Sequence, residues 1–144
     1  METQTQMKME ITFPEPTGAR VDASIQNGEY TYLVKTDQPP EAGGDASAPT
    51  PFALFLASIG TCAGIYILSF CRQRNIPTEN IRLVQRMERD PETGMVSLVK
   101  VDVYLPPEFP QRYVQAAIRT AGLCTVKKHL ANPPQIVIEP HQGV

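Results

Sequence analysis

The feature of this chain that most restricts its fold is the stretch 51–71, PFALFLASIGTCAGIYILSFC, which contains no charged residue. As a helix it is long enough to span a membrane, with Arg72 and Arg74 beside it as anchors. The alternative is a helix buried on all sides in a protein core. We favour the core helix, because a lone span would leave the predicted strands around it without a helix to cover them.

Alternation of apolar and polar residues predicts antiparallel strands on both sides of this helix. The predicted strands are residues 9–13, 19–25, 29–35, 80–89 and 95–105. Asn27-Gly28 predicts a type I′ turn between the second and third strands. Residues 90–94, DPETG, predict the turn of the later hairpin.

The remaining segments predict a loop, two short helices and a last strand. Residues 37–51 are mostly turn formers and predict a surface loop. Apolar spacing predicts one helix after Pro110, with Gly122 as its C-cap, and a second helix beginning at Cys124. Residues 136–138 predict the last strand. The chain is therefore predicted to be one α+β domain over residues 1–144, with antiparallel sheets around a long central helix. Since one small sheet cannot cover so apolar a helix, we expect a homodimer to share it.

Charge and motif content exclude several classes of function. The net charge of -2 lacks the basic character typical of nucleic-acid-binding proteins. Gly43-Gly44 is not followed by a phosphate-binding pattern, so no nucleotide cofactor is expected. His129 and His141 supply too few ligands for a metal site, and His129 as the base of a cysteine hydrolase is equally disfavoured. We therefore expect neither metal nor cofactor.

The cysteine content points to redox chemistry rather than to a disulfide scaffold. There are three cysteines and no CxxC pair, which disfavours both structural disulfides and a zinc site. The N-terminal segment METQTQMKME lacks the apolar region of a signal peptide, so we expect a cytoplasmic protein without a membrane partner. In a reducing cytoplasm a pair of thiols is more often catalytic than structural.

The residues alone do not decide which thiol reacts. Cys62 lies in the middle of the long helix, where a cysteine is usually a small buried apolar residue. Cys71, nine residues later, points to the opposite face of that helix. Cys124 opens a helix with Lys127 and Lys128 in its first turns, and both features lower a thiol pKa. A purely packing role for Cys124 remains an equal alternative.

The two cysteine motifs resemble those of the osmotically inducible and organic hydroperoxide resistance proteins, the OsmC/Ohr family. The matching residues are Pro51, then Gly60-Thr61-Cys62, then Cys124-Thr125-Val126-Lys127-Lys128, and the order of segments agrees over nearly the whole chain. The resemblance implies an intertwined homodimer with two active sites at its interface. It also implies a stress-response and antioxidant role as a peroxidase.

In the catalytic branch of that family a thiolate attacks a hydroperoxide and the resulting sulfenic acid is captured by a second thiol. By position, Cys62 corresponds to the peroxidatic cysteine and Cys124 to the resolving one, and an external dithiol restores the pair. Gly18-Ala19-Arg20 occupies the place of an activating arginine, so Arg20 is a candidate to lower the thiol pKa and bind peroxide oxygens. An exposed turn arginine is the alternative for Arg20.

The chain departs from this pattern at two positions. The organic hydroperoxide branch has a glutamate after the loop proline that orients the arginine, whereas here Phe52 follows Pro51. Glu41 or Asp45 are candidates to replace that carboxylate. Thr125 stands where the family usually has proline. A second hypothesis is therefore a non-catalytic protein of the same fold, which binds a small ligand and carries redox-sensitive thiols.

Overall fold

The computed structural model describes residues 6–143 and has the predicted α+β class with antiparallel sheets. The elements are β1 (Lys8–Thr12), β2 (Val21–Asn27), β3 (Tyr30–Thr36), α1 (Pro51–Arg72), β4 (Arg82–Arg89), β5 (Val96–Tyr104), α2 (Val114–Ala121) and α3 (Thr125–Ala131). The chain divides into two compact units, one ending at Leu56 and the other beginning at Ala57 within α1. A single domain over the whole chain stays a prediction.

The first unit contains a three-stranded antiparallel sheet in the order β1-β2-β3. Asn27 pairs with Tyr30, so Gly28 and Glu29 form the two-residue loop of the β2-β3 hairpin. Gly28 has φ 64° and is the loop residue with positive φ. A type I′ turn needs positive φ at both central residues, whereas type II′ needs it at the first. The hairpin was predicted correctly, but its turn type was wrong.

The loop between β3 and α1 is organised around a buried carboxylate, that of Asp37, which is 1% exposed. Its oxygens accept hydrogen bonds from the Gln38 N–H at 2.8 Å, the Ser47 N–H at 3.0 Å and the Ser47 hydroxyl. These bonds, led by the Ser47 hydroxyl, lower the pKa of Asp37 to about 2. The predicted surface loop is mostly exposed, is held together by the bonds to Asp37, and includes a 3₁₀ turn at Pro40–Ala42.

Replacing Asp37 by asparagine is expected to destabilise the protein at pH 7, because Asn offers one oxygen acceptor and no charge. The wild-type pKa is depressed, so the stabilisation by Asp37 is present above the ordinary value of 3.8 and is lost as the pH falls through about 2. Urea unfolding at pH 7, 4, 3 and 2 should show the gap between wild type and variant closing toward pH 2. Asp45→Asn, an exposed change in the same loop, is the control. A gap that stays constant with pH would contradict the role given to Asp37.

The long helix α1 begins where local chemistry favours a helix start. Pro51 is its first residue, and a proline there sacrifices no helical hydrogen bond. The preceding Thr50 accepts the Ala53 N–H on its hydroxyl oxygen at 3.1 Å, which is the bond of an N-cap. The helix predicted over 51–71 is therefore confirmed as Pro51–Arg72.

In the second unit, one face of α1 forms the core. The core cluster consists of Ile67, Phe70, Cys71, Ile76, Phe109 and Ala117. The antiparallel β4-β5 hairpin supplies Leu83 and Val103 against this cluster. At Gly60 a Cβ atom would lie 2.5 Å from the Gln85 side-chain oxygen, so glycine leaves room for the end of this β4 side chain.

The rest of α1 is less buried than the sequence predicted. The helix is long and apolar enough to cross a membrane by length and composition, yet it packs into a protein core on one face. Other apolar side chains along it are exposed, with Ile65 at 51% and Phe55 at 42%. One copy of the chain therefore does not cover α1 on all sides, which is what the prediction of a shared helix assumes. The predicted homodimer stays a prediction.

The two short helices lie where the sequence placed them. One 3₁₀ turn at Gln111–Tyr113 leads into α2, and Gly122 is its C-cap. Gly122 has φ -70°, so it closes the helix in a right-handed conformation and does not use glycine's left-handed freedom. Cys124 is the N-cap residue of α3.

The last predicted strand is not formed. Residues 136–138 carry no strand pairing, and their apolar side chains are exposed, up to 93% for Ile138. Their β-branched composition is typical of a strand, but a strand requires a neighbour whose N–H and C=O groups can pair with it. The composition of this segment was therefore insufficient to predict its conformation.

Candidate active site

The second unit brings together two of the three cysteines. Cys62 lies on α1 and Cys124 directly precedes α3, and the Cys124 thiol is hydrogen-bonded to the Cys62 sulfur. Cys71 lies apart from them in the core, where it is fully buried and burial raises its pKa. All three cysteines are unpaired thiols. The geometry thus pairs Cys62 with Cys124 and separates Cys71 from both.

The surroundings of Cys62 favour its thiolate form. Three donors face its sulfur: the Cys124 thiol, which has the largest effect, and then the backbone N–H groups of Val126 and Thr125. Together they lower the pKa of Cys62, against a smaller opposing effect of burial. The side chain is half-buried, so a small molecule has access to it.

The surroundings of Cys124 have the opposite effect. Its side chain is 2% exposed, and burial, followed by the hydrogen bond to Cys62, raises its pKa. The N–H groups of Val126 and Lys127 lower it less than these two effects raise it. The expectation that the helix start would give Cys124 a lowered pKa was therefore wrong. The N–H groups of Val126 and Thr125 at that helix start also act on Cys62, which reaches them from another helix.

This arrangement gives the two sulfurs different chemical capacities. The accessible thiol is the one whose pKa is lowered, which favours the thiolate, the nucleophilic form of cysteine. The buried thiol donates a hydrogen bond to it and lies beside it, where a disulfide would form. The pair can therefore attack an electrophile at Cys62 and then close a bond to Cys124.

One further contact at this site was not foreseen from the sequence. The Tyr66 hydroxyl lies 3.0 Å from the Thr125 hydroxyl oxygen, which links α1 to the residue after Cys124. The sequence indicated only that Tyr66 lies on the same face of α1 as Cys62, because residues four apart in a helix share a face. Nothing in the sequence placed Thr125 on the other side of the bond.

Beside these residues the second unit has an open cleft of about 640 Å³. It is lined by Tyr66, Ser69, Phe70, Gln73, Arg74, Ala116, Arg119, Thr120 and Leu123. Tyr66 is one turn from Cys62 along α1, and Leu123 directly precedes Cys124. The cleft therefore has room for a small organic molecule next to the elements that hold the thiols.

Arg20 is held by two carboxylates in the first unit. Its Nη2 lies 2.7 Å from Oδ1 of Asp22, and its Nη1 lies 3.5 Å from Oε1 of Glu15. The bond to Asp22 contributes most to raising the pKa of Arg20. The side chain is only 15% exposed, so the alternative of an exposed turn arginine was wrong. Its Nε is buried without a hydrogen-bond partner among residues 6–143.

The predicted substitutes for the missing glutamate are not the residues that hold Arg20. Its carboxylate partners are Asp22 and Glu15, where Glu41 and Asp45 were expected. Phe52, which stands in the place of the family's glutamate, is partly exposed and stacks on Phe55 with ring centroids 5.7 Å apart. A carboxylate on β2 thus orients the guanidinium in place of one on the helix start.

Neither histidine is among the groups that shift the pKa of Cys62 or Cys124. The Nδ1 atom of His129 lies 2.8 Å from the Thr125 carbonyl oxygen, a contact within the first turn of its own helix. Within residues 6–143, no group of three His, Cys, Asp or Glu side chains is arranged to hold a metal ion. His141 lies in the exposed segment after α3.

Solved structures share this fold at low sequence identity. A Psychrobacter arcticus protein named for osmotic stress induction and detoxification superposes with TM-score 0.69 and 20% identity, over 89% of this chain and 88% of that one. An organic hydroperoxide resistance protein from Elizabethkingia anophelis gives 0.53 and 15%, over 92% and 93%. One from Legionella pneumophila gives 0.50 and 19%, over 90% and 91%. The likeness establishes the fold.

Sequence comparison establishes the family. No curated protein sequence matches the chain. The family model for OsmC-like proteins matches residues 44–139, which is more than half of the chain and includes Cys62 and Cys124. The chain therefore belongs to the OsmC-like protein family.

Proposed function

We propose that this protein is a thiol-dependent peroxidase that reduces hydroperoxides through Cys62 and Cys124. The observation that carries the proposal is the hydrogen bond between the two sulfurs, with a lowered pKa at the accessible Cys62 and a raised pKa at the buried Cys124. Fold neighbours named as hydroperoxide resistance proteins support the same chemistry.

In the first step the Cys62 thiolate attacks the terminal oxygen of a hydroperoxide. A sulfur–oxygen bond forms, the O–O bond breaks, and the leaving alkoxide takes a proton to become an alcohol. Cys62 is then a sulfenic acid, oxidised by two electrons. The three hydrogen bonds that lower the pKa of Cys62 favour the thiolate that makes this attack.

In the second step the Cys124 sulfur attacks the sulfenic sulfur of Cys62. A disulfide forms, and the sulfenic oxygen leaves as water with the proton from Cys124. An external dithiol then reduces the disulfide by thiol–disulfide exchange and supplies the two electrons consumed by the peroxide. Cys124 is buried and hydrogen-bonded to Cys62, so the resolving thiol lies next to the sulfenic acid that it attacks.

Arg20 is proposed to act on the same chemistry by stabilising the thiolate and the peroxide oxygens. Its guanidinium is held in position by Asp22 and Glu15. A guanidinium oriented in this way suits an activating role, because charge-assisted hydrogen bonds are directional as well as strong.

The proposed working form is a homodimer in the cytoplasm. Its support is the exposed apolar surface of a single copy, at Ile65 and Phe55 on α1 and at residues 136–138. Large exposed apolar patches mark surfaces that a partner covers. Sedimentation at micromolar concentration, without detergent, tests both the dimer and the absence of a membrane partner.

A thiol titration tests the function directly. One equivalent of organic hydroperoxide, added to the fully reduced protein, is expected to remove two of its three thiols, because Cys62 and Cys124 form a disulfide while Cys71 stays buried. Denaturation in the presence of a thiol reagent, followed by peptide mapping, identifies which two were lost. Addition of dithiol should restore all three.

Unchanged thiols with organic hydroperoxide and with hydrogen peroxide would contradict the peroxidase. In that case the non-catalytic hypothesis would be favoured, and the cleft of about 640 Å³ next to Tyr66 and Leu123 would be its binding site. Native mass spectrometry of the purified protein would then be used to search for a small ligand that copurifies with it.

A further inference from the structure

We propose that Tyr66 and Thr125 are positioning residues whose paired hydroxyls hold the start of α3, and with it Cys124, against Cys62. This inference rests on the proposed function, since it assigns a role within the same site. The pairing is geometric: the two oxygens are 3.0 Å apart, one on α1 and the other on the residue after Cys124.

Tyr66 is placed on α1 to act at this site. It lies four residues after Cys62, so the two side chains stand one above the other on the same face of the helix. Cys62 contacts the α3 start through its sulfur, and Tyr66 contacts it one turn further along. Two neighbouring points on one rigid helix thus fix the position of the Cys124–Val126 segment.

The segment needs this support, because α3 is weakly anchored elsewhere. It is seven residues long and has no buried residue, and its N-cap, Cys124, makes no side-chain capping bond. So short a helix has little stability of its own and depends on tertiary contacts. The contact of the His129 ring with the Thr125 carbonyl lies within α3 and does not tie it to α1.

Thr125 contributes in a second way that proline does not. Its backbone N–H faces the Cys62 sulfur, and a proline at this position has no N–H to donate. It also has no hydroxyl with which to bond to Tyr66. At the position where this chain departs from the usual OsmC/Ohr pattern, the substituted residue therefore provides both a donor to the thiolate and the link to α1.

The test compares single and double removal of the two hydroxyls. Tyr66→Phe, Thr125→Val and the double variant each delete the hydroxyl pairing while keeping the Thr125 backbone N–H. Two rates are measured across pH: alkylation of Cys62 by iodoacetamide, and closure of the Cys62–Cys124 disulfide by diamide, which accepts the two hydrogens. Neither rate requires peroxide turnover, so failure of the peroxidase proposal remains distinguishable from failure of this one.

Each single variant is expected to slow disulfide closure about threefold to tenfold, as loss of one hydrogen bond implies. The double variant should be no slower than the single variants, because all three variants lose the same hydrogen bond. The pH midpoint of Cys62 alkylation should rise in all three. Thr125→Ser should restore wild-type behaviour, whereas Thr125→Pro should raise the alkylation midpoint further by removing the N–H donor as well.

Thr93→Val is the matched control, since its hydroxyl accepts a hydrogen bond from the Met95 N–H at 3.2 Å in the turn of the β4-β5 hairpin, outside the cleft. It should leave both rates unchanged. Circular dichroism confirms that every variant is folded. Unchanged closure and alkylation in Tyr66→Phe and Thr125→Val would overturn the proposal, and so would effects that simply add in the double variant.

Discussion

Replacing Cys62 by serine is expected to abolish hydroperoxide consumption, with a loss of roughly 1,000-fold or more, as removal of a nucleophile typically causes. A serine hydroxyl is not ionised at neutral pH, even with the three donors that stabilise the Cys62 thiolate. The measurement is the initial rate of organic hydroperoxide loss with excess dithiol. The variant should also lose no thiol when treated with one equivalent of peroxide.

Cys71→Ala is the matched control for this experiment. Cys71 is fully buried in the core and separate from the pair, so its replacement is expected to lower stability but to keep peroxide consumption. A Cys62→Ser variant that retains a substantial rate, or a Cys71→Ala variant that folds and loses it, would assign the nucleophile to a different cysteine.

The fold was largely predictable because its signals are periodic. The uncharged run 51–71 and the alternating segments around it predicted the long helix and all five strands that the structure contains. These patterns depend only on which residues face a core, so they need no knowledge of distant contacts. Features set by one residue's dihedral angles, such as the turn at Gly28, were less well predicted.

What failed depended on neighbours that the sequence does not identify. Residues 136–138 have strand composition but lack a paired strand in one copy of the chain. The outward apolar positions of α1, such as Ile65, are exposed in one copy of the chain, and the homodimer predicted to cover them stays a prediction. Apolar composition indicates that a segment needs cover, but it does not identify the surface that supplies it.

The pKa values of the two thiols also depend on neighbours that the sequence does not identify. The identity of the two thiols came from the family resemblance, and their contact agrees with it. The lowered pKa expected for Cys124 was wrong, because burial outweighs the N–H groups at the start of α3. Two of the N–H groups there, those of Val126 and Thr125, also lower the pKa of Cys62, which lies on another helix.

Arg20 is bound by a carboxylate that lies outside the loop where the family carries its glutamate. Glu41 and Asp45 were candidates because they lie in the loop where the family carries its glutamate. Asp22 lies on β2, two residues after Arg20, and binds it at 2.7 Å. The polar position of Asp22 in an alternating strand predicts the face on which it lies, but not the partner of its carboxylate.

Replacing Cys124 by serine is expected to stop the reaction one step later than loss of Cys62. The serine hydroxyl can still donate to the Cys62 sulfur, so the first attack on hydroperoxide should proceed at close to the wild-type rate. No disulfide can follow, so Cys62 should remain a sulfenic acid that dimedone traps, with one thiol lost per chain in place of two. Steady-state turnover should fall by about 100-fold, because an external thiol must replace a neighbouring one.

Cys124→Ala separates the two roles of this residue. It removes the hydrogen bond to Cys62 as well as the resolving thiol, and that bond is the largest cause of the lowered Cys62 pKa. The alanine variant should therefore also slow the first attack and shift its pH midpoint upward, whereas the serine variant should not. Equal rates of the first step in the two variants would show that Cys124 resolves the sulfenic acid without activating the thiolate. Loss of two thiols per chain in either variant would exclude Cys124 as the resolving residue.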